Sequence, residues 1–166
     1  MSAKTILLEP AKCNGCGDCE AVCAVKHTGL ENPEFSRIHV IKNAQVEGFY
    51  LPLICMQCTD APCKTVCPEE AIYLDKKLNR TMIDYRLCIG CRMCVAACPL
   101  GAMGFDEDRG RPLKCDLCAG APECVKCCEP KALAYVQSLQ RPKVQASADK
   151  FYGAMQSGAA GSSVFP

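Results

Sequence analysis

The sequence predicts an α+β fold of short hairpins and short helices with only a thin apolar core. Three observations carry that reading. The chain has 17 cysteines in 166 residues, no tryptophan and 6% aromatic residues. The cysteines gather in compact quartets: Cys13, Cys16, Cys19 and Cys23; Cys55, Cys58, Cys63 and Cys67; Cys88, Cys91, Cys94 and Cys98; Cys115, Cys118, Cys124 and Cys128. Between the quartets lie brief β-branched runs divided by polar turns, the pattern of short strands. A chain this poor in large apolar residues must draw much of its folding free energy from what its cysteines bind.

The third quartet identifies that ligand. Cys88 to Pro99 reads C-x2-C-x2-C-x3-C-P, the spacing of a bacterial [4Fe-4S] motif. In such a motif the first three thiolates hold one cluster. The fourth, a helical turn further on, ligates a second. The motif therefore needs a partner that returns the exchange, and the other quartets supply it. Four complete quartets predict four [4Fe-4S] clusters. Zinc sites instead use C-x2-C pairs a dozen or more residues apart. A disulfide scaffold belongs to secreted chains, yet the apolar run Ile6, Leu7, Leu8 is too short for a signal peptide. The expected compartment is accordingly the cytoplasm. No stretch approaches the roughly 20 apolar residues of a membrane span. The formal net charge of +1 gives nothing that would steer the chain to nucleic acid.

Taken in order, residues 5–8 predict a strand leading into the first quartet. After Cys23 come Lys26, His27, Thr28 and Gly29, then a polar loop at 31–34. Residues 37–42 predict a strand, and 49–54 its partner, which feeds into Cys55. From Cys55 to Pro99 the layout is that of a complete two-cluster ferredoxin. Cys67-Pro68 is followed by a strand at 71–74, a turn with Lys76, Lys77 and Asn79, and a strand at 81–84. The arrangement repeats after Cys98-Pro99, with strands at 102–105 and 111–114 around a charged turn at 106–110. A last strand is predicted at 132–136. From Gln137 the cysteines stop. Residues 149–155 have the composition for one or two helical turns, and after Gln156 residues 157–163 are Gly, Ala and Ser. This tail, expected to be mobile alone, carries Phe151, Tyr152, Met155 and Phe165, residue types that anchor interfaces. It is read as a segment that docks on a catalytic subunit or on a second copy of the chain.

The middle two quartets are joined by the simple hairpin, which pairs them with each other and leaves the first to pair with the last. That makes two ferredoxin-like modules, the inner inserted into the outer. Residues 1–48 and 111–137 form the outer module, 49–110 the inner one, and 138–166 the tail. The exchange rule then groups Cys13, Cys16, Cys19 with Cys128; Cys115, Cys118, Cys124 with Cys23; Cys55, Cys58, Cys63 with Cys98; and Cys88, Cys91, Cys94 with Cys67. A rival scheme pairs the quartets in order, first with second and third with fourth. The similar link between the third and fourth quartets keeps that scheme open.

Other residues carry weaker signals. Cys127 is left over by the x3 register and reads as a small buried apolar residue. His27 and His39 read as surface or strand residues, since every quartet is already complete. Gly15, Gly17 and Gly90 sit between ligands, where they let backbone N–H groups approach sulfur. Asp106, Glu107 and Asp108 read as a solvated hairpin tip. No catalytic constellation, phosphate loop or dinucleotide fingerprint is present.

Cys13-Asn-Gly-Cys16, Cys55-Met-Gln-Cys58 with Pro62-Cys63, Cys88-Ile-Gly-Cys91-Arg-Met-Cys94, and Lys114-Cys115-Asp-Leu-Cys118 with Pro122-Glu-Cys124-Val125 together carry a family likeness over about residues 4–136. The chain resembles the polyferredoxin-like iron-sulfur subunits of molybdenum and tungsten enzymes, hydrogenases, and formate and carbon monoxide dehydrogenases. Cys-Met-Gln-Cys, Cys-Asp-Leu-Cys and the compact size most resemble the small subunit of tungsten aldehyde oxidoreductases. The resemblance implies the nested pairing and an electron-transfer role without catalysis. It also implies a large catalytic redox partner of these classes, with a flavin or other acceptor subunit beyond it. A free soluble polyferredoxin and an iron-sulfur maturation factor are the alternatives. Ala24 and Glu129 depart from the family, which usually has proline after the fourth cysteine.

Overall fold

The structure is a computed structural model and describes residues 4–42 and 48–137. The tail reading for residues 138–166 lies outside the described residues. Strands and helices follow as β1 (Lys4–Leu8), α1 (Asp18–Thr28), β2 (Ile38–Lys42), β3 (Tyr50–Ile54), α2 (Pro62–Thr65), β4 (Ile72–Asp75), β5 (Arg80–Ile83), α3 (Met93–Ala96), β6 (Gly104–Asp106), β7 (Arg111–Leu113), α4 (Glu123–Cys127) and β8 (Leu133–Gln137). No helix among the described residues is long and apolar enough to cross a membrane.

The strands form separate two-stranded antiparallel pairs: β1–β8, β2–β3, β4–β5 and β6–β7. Three of these are pairs of successive strands. The β1–β8 pair instead joins the first described strand to the last, with Ile6 opposite Tyr135 and Leu8 opposite Leu133. The Glu9 N–H extends this contact by donating to the Ala132 carbonyl at 2.8 Å.

Two hairpins use one device. Asp75 ends β4 and accepts the Lys77 N–H at 2.9 Å and the Arg80 guanidinium at 3.0 Å. Asp106 ends β6 and accepts the Arg109 N–H and guanidinium, each at 3.0 Å. An aspartate that bonds backbone two or three residues on closes a turn by itself. This corrects the reading of the 106–108 tip as uniformly solvated. Asp106 is 2% exposed because Arg109 and its own turn satisfy it, whereas Glu107 and Asp108 are exposed.

The residue after the fourth cysteine sets the lengths of α1, α2 and α3. Pro68 and Pro99 push Cys67 and Cys98 away from helical backbone, so α2 and α3 stop after a single turn. Ala24 imposes no such limit, and α1 runs on to Thr28. Gly29, left-handed at φ 76°, ends it, and its N–H donates to the Val25 carbonyl at 2.9 Å. Asp18 and Glu20 in its first turn and Lys26 in its last complement the helix dipole.

The core is thin and rich in sulfur. Ile6, Ile38, Ile54, Leu117 and Leu133 pack with Cys19, Cys23, Cys115, Cys124 and Cys128. A second, smaller group joins Ile72, Ile83 and Met103 to Cys94.

Candidate iron-sulfur centres

The first C-x2-C turn of each quartet has the same backbone kink. The residue before the second cysteine is left-handed in all four quartets: Gly15 at φ 72°, Gln57 at 53°, Gly90 at 69° and Leu117 at 56°. Such kinks turn successive N–H groups to one side, a concavity that suits phosphates and iron-sulfur clusters. Glycine is required at two of the four for a further reason. A Cβ on Gly15 would strike the Tyr50 ring, and one on Gly90 would strike the Gly110 carbonyl oxygen. The chain itself comes close at these positions, a role beyond the approach of N–H groups to sulfur.

A second repeated turn follows three of the fourth cysteines. The carbonyls of Cys67, Cys98 and Cys128 accept from the N–H groups of Glu70 at 3.3 Å, Gly101 at 3.1 Å and Lys131 at 3.2 Å. Each donor is itself left-handed. Cys23 lies inside α1 and lacks this turn.

The thiols converge across quartet boundaries. Cys67 lines one cavity with Cys88, Cys91 and Cys94, walled by Pro68, Ile72 and Ile83. Cys98 lines another with Cys55, Cys58 and Cys63, walled by Pro62, Met103 and Lys114. In the other half, Cys124 lies within electrostatic reach of Cys115, Cys23, Cys118 and Cys19. Cys19 likewise faces Cys127, Cys16 and Cys13. Cys127 therefore stands close to the first three thiols, its Sγ donating to the Cys124 carbonyl at 3.4 Å. Cys128 is the residue that occupies the repeated turn.

Burial dominates the chemistry of these thiols. It pushes Cys19 up to about 12, with the Glu20 charge adding to it. It pushes Cys63 up to about 11, with Lys114 opposing it. Cys115 and Cys124 rise further for the same reason. A buried thiol stays protonated unless a cation repays the desolvation of its anion, as a metal does. Backbone amides also reach the sulfurs. The Arg37 N–H donates to Cys23 Sγ at 3.3 Å, and the Leu117 N–H to Cys115 Sγ at 3.4 Å. Convergent thiols, kinked N–H concavities and amide donors to sulfur fit a [4Fe-4S] group.

His27 departs from the surface reading. The extension of α1 past Cys23 carries it to the last quartet, where its Nε2 lies 3.5 Å from Asp116 Oδ1 and 4.0 Å from Cys118 Sγ. Arg37 lies 3.3 Å from the other Asp116 oxygen. Burial and the Arg37 charge hold His27 below its usual range. His39 sits on β2 as expected, 3.9 Å from Glu20. Among the described residues, the potential ligand atoms of His27, Asp116 and Cys118 lie within 4.8 Å of one another, but Cys118 already belongs to a quartet.

Two polar residues, present in the sequence reading only as parts of the family motifs, take roles that their spacing does not reveal. Gln57 is 0% exposed; its Nε2 donates to the Cys115 carbonyl at 2.8 Å and its Oε1 accepts the Thr81 N–H at 2.8 Å. Lys114 is 3% exposed, with Nζ 3.1 Å from Cys55 Sγ. Nothing local in the sequence marks either. Their identity as polar residues beside cysteines in otherwise apolar company is the only trace.

Comparison with known proteins agrees with this picture. Residues 46–138 match the family described as the 4Fe-4S dicluster domain. The polyferredoxin-like subunit of aliphatic sulfonate oxidoreductase from Pyrococcus furiosus is 39% identical over 140 residues, covering 82% of this chain and 80% of that protein. The electron transport protein HydN of Escherichia coli is 37% identical over 156 residues, covering 79% and 86%. A chain from the active site complex BamBC of benzoyl coenzyme A reductase is similar at a TM-score of 0.52 and 26% identity, covering 95% of this chain and 92% of that one.

Proposed function

The chain belongs to the 4Fe-4S dicluster-domain family of small iron-sulfur electron-transfer subunits, and on that premise we propose that it is the non-catalytic electron-transfer subunit of an oxidoreductase complex. It holds four [4Fe-4S] clusters between a catalytic subunit of the tungsten or molybdenum class and an acceptor subunit or carrier. The relatives named as subunits of sulfonate and benzoyl-CoA enzymes support a large catalytic partner. The observation that carries the reading is the crossing of thiols between quartets, with Cys67 beside Cys88, Cys91 and Cys94, and Cys98 beside Cys55, Cys58 and Cys63.

The remaining ligand sets follow the same rule. Cys23 joins Cys115, Cys118 and Cys124, and Cys128 joins Cys13, Cys16 and Cys19. The β1–β8 pair supports an outer module of 1–48 and 111–137 around an inner one of 49–110. The sets then form a series. The two inner sets adjoin through α2 and α3. Cys55 adjoins Cys115, and Cys19 adjoins Cys124. The two terminal sets contain the exposed cysteines, Cys91 and Cys16.

When bound, each cluster supplies a site that takes up and gives back one electron. The chain's residues hold the sites in line, bury the thiols and aim N–H groups at them. With all four positions of each set taken by thiolate, no iron position stays open to a substrate, which supports a role without bond chemistry.

Anaerobically isolated protein is expected to hold about 16 iron atoms, four per set. Cys98→Ser is expected to alter the spectroscopic signature of one centre. That centre should be the same one altered by Cys63→Ser, not the one altered by Cys91→Ser. Coincidence of the Cys98 and Cys91 effects would overturn the crossing.

The two adjacent thiols at the end of α4 give a further test. Cys128→Ala is expected to remove or change one centre, whereas Cys127→Ala leaves the iron content whole. Iron analysis and electron paramagnetic resonance of both variants would show it, and the opposite result would assign the ligand to Cys127.

A further inference from the structure

We propose that Lys114 sets the redox potential of the centre formed by Cys55, Cys58, Cys63 and Cys98, lifting it by holding a buried positive charge against Cys55. The inference rests on the ligand assignment above and adds to it the residue that decides which centre is most easily reduced.

Lys114 is 3% exposed and follows directly on β7. Its Nζ lies 3.1 Å from Cys55 Sγ, and its side chain lines the cavity shared by Cys55, Cys58, Cys63 and Cys98. A buried ammonium is costly unless an anion compensates it. Among the described residues no carboxylate forms a salt bridge with Lys114, unlike the arginines nearby. Arg37 is paired with Asp116, and Arg80 with Asp75. The anion that faces Lys114 is therefore the thiolate set itself. The Lys114 charge also opposes the effect of burial on the thiols of Cys58 and Cys63.

A cluster with four thiolates is anionic, and one added electron makes it more so. A fixed positive charge at contact distance therefore stabilises the reduced form more than the oxidised form. Burial keeps that interaction from being screened. The position in the chain adds a second consequence. Lys114 precedes Cys115, which belongs to the neighbouring set, so the charge sits at the junction between the inner and outer sets. An electron entering from either side meets its most favourable resting place in the middle of the series.

The test uses the iron-loaded full chain. Reductive titration followed by electron paramagnetic resonance would compare wild type with Lys114→Met, Lys114→Gln and Lys114→Arg. Lys77→Met serves as the control for an exposed lysine. Lys114→Met and Lys114→Gln are expected to retain about 16 iron atoms. Each is expected to lower the reduced-to-oxidised ratio of one centre about tenfold at a given solution potential, a shift of ~59 mV for one electron. Lys114→Arg should restore the ratio, and Lys77→Met should leave it unchanged. The shifted centre should be the one that Cys98→Ser alters.

Unchanged midpoints in the neutral variants with full iron would overturn the proposal. So would loss of that centre's iron from both neutral variants while Lys114→Arg behaves as wild type, because Lys114 would then be structural. Failure of the underlying ligand assignment looks different: wild type would hold far fewer iron atoms, or the centre shifted by Lys114→Met would be one that Cys98→Ser leaves intact.

Discussion

Iron removal is expected to unfold this protein, not to leave a folded apo-form. Its strands make four isolated two-stranded pairs, with no wider sheet among the described residues. A lone hairpin is marginal in water, and stability requires a third strand or a packed face. Here the packed face is largely sulfur, since five of the residues in the main buried cluster are cysteines. Metal sites of this kind contribute on the order of 10 kcal/mol each to folding, the scale known for structural zinc. Several such sites together exceed the stability of most small domains. Chelation under anaerobic, reducing conditions should therefore abolish the near-ultraviolet signal and most cooperative unfolding in urea.

Burial raises the thiols of Cys19 and Cys63 above their ordinary value in the folded chain without iron. Any fraction of apo-protein that stays folded at neutral pH should therefore lose stability as pH climbs above about 9, the ordinary thiol value. Apo-protein that still melts cooperatively at neutral pH would overturn the expectation.

Gln57→Leu is expected to cost about 2–6 kcal/mol, although the two side chains are similar in volume. The substitution strands two buried backbone groups, the Cys115 carbonyl and the Thr81 N–H, and each unsatisfied group costs about 1–3 kcal/mol. The left-handed backbone at φ 53° is kept, so no strain is relieved. Gln57→Glu keeps an acceptor for Thr81 but sets a buried carboxylate oxygen against the Cys115 carbonyl, and should cost at least as much. Urea unfolding of the iron-loaded variants is the measurement. A Leu variant as stable as wild type would mean that Gln57 does not tie the Cys115 segment to β5.

The legible parts of this fold are local. The quartets announce themselves by spacing, and the hairpins by β-branched runs broken by polar turns. Ala24, standing in place of a proline, could have foretold the length of α1, and with it the arrival of His27 beside Asp116 and Cys118. The hidden parts depend on partners far along the chain. Gln57 meets the Cys115 carbonyl across 58 positions, and Lys114 meets Cys55 across 59. Asp106 looked like one more charge on an acidic tip because its neighbours Glu107 and Asp108 are such charges. Only the Arg109 contacts distinguish it. Tertiary juxtaposition of this sort leaves no periodicity to read.

The pairing of β1 with β8 has a consequence during synthesis. Lys4 pairs with Gln137, so β1 has no partner until nearly the whole described chain has left the ribosome. At synthesis rates of about 5–20 residues per second that delay is on the order of ten seconds. The β4–β5 and β6–β7 hairpins close over short loops and can form well before it ends. With the ligand sets proposed above, the inner quartets are the first that can load, and Cys13, Cys16 and Cys19 wait longest for their fourth ligand.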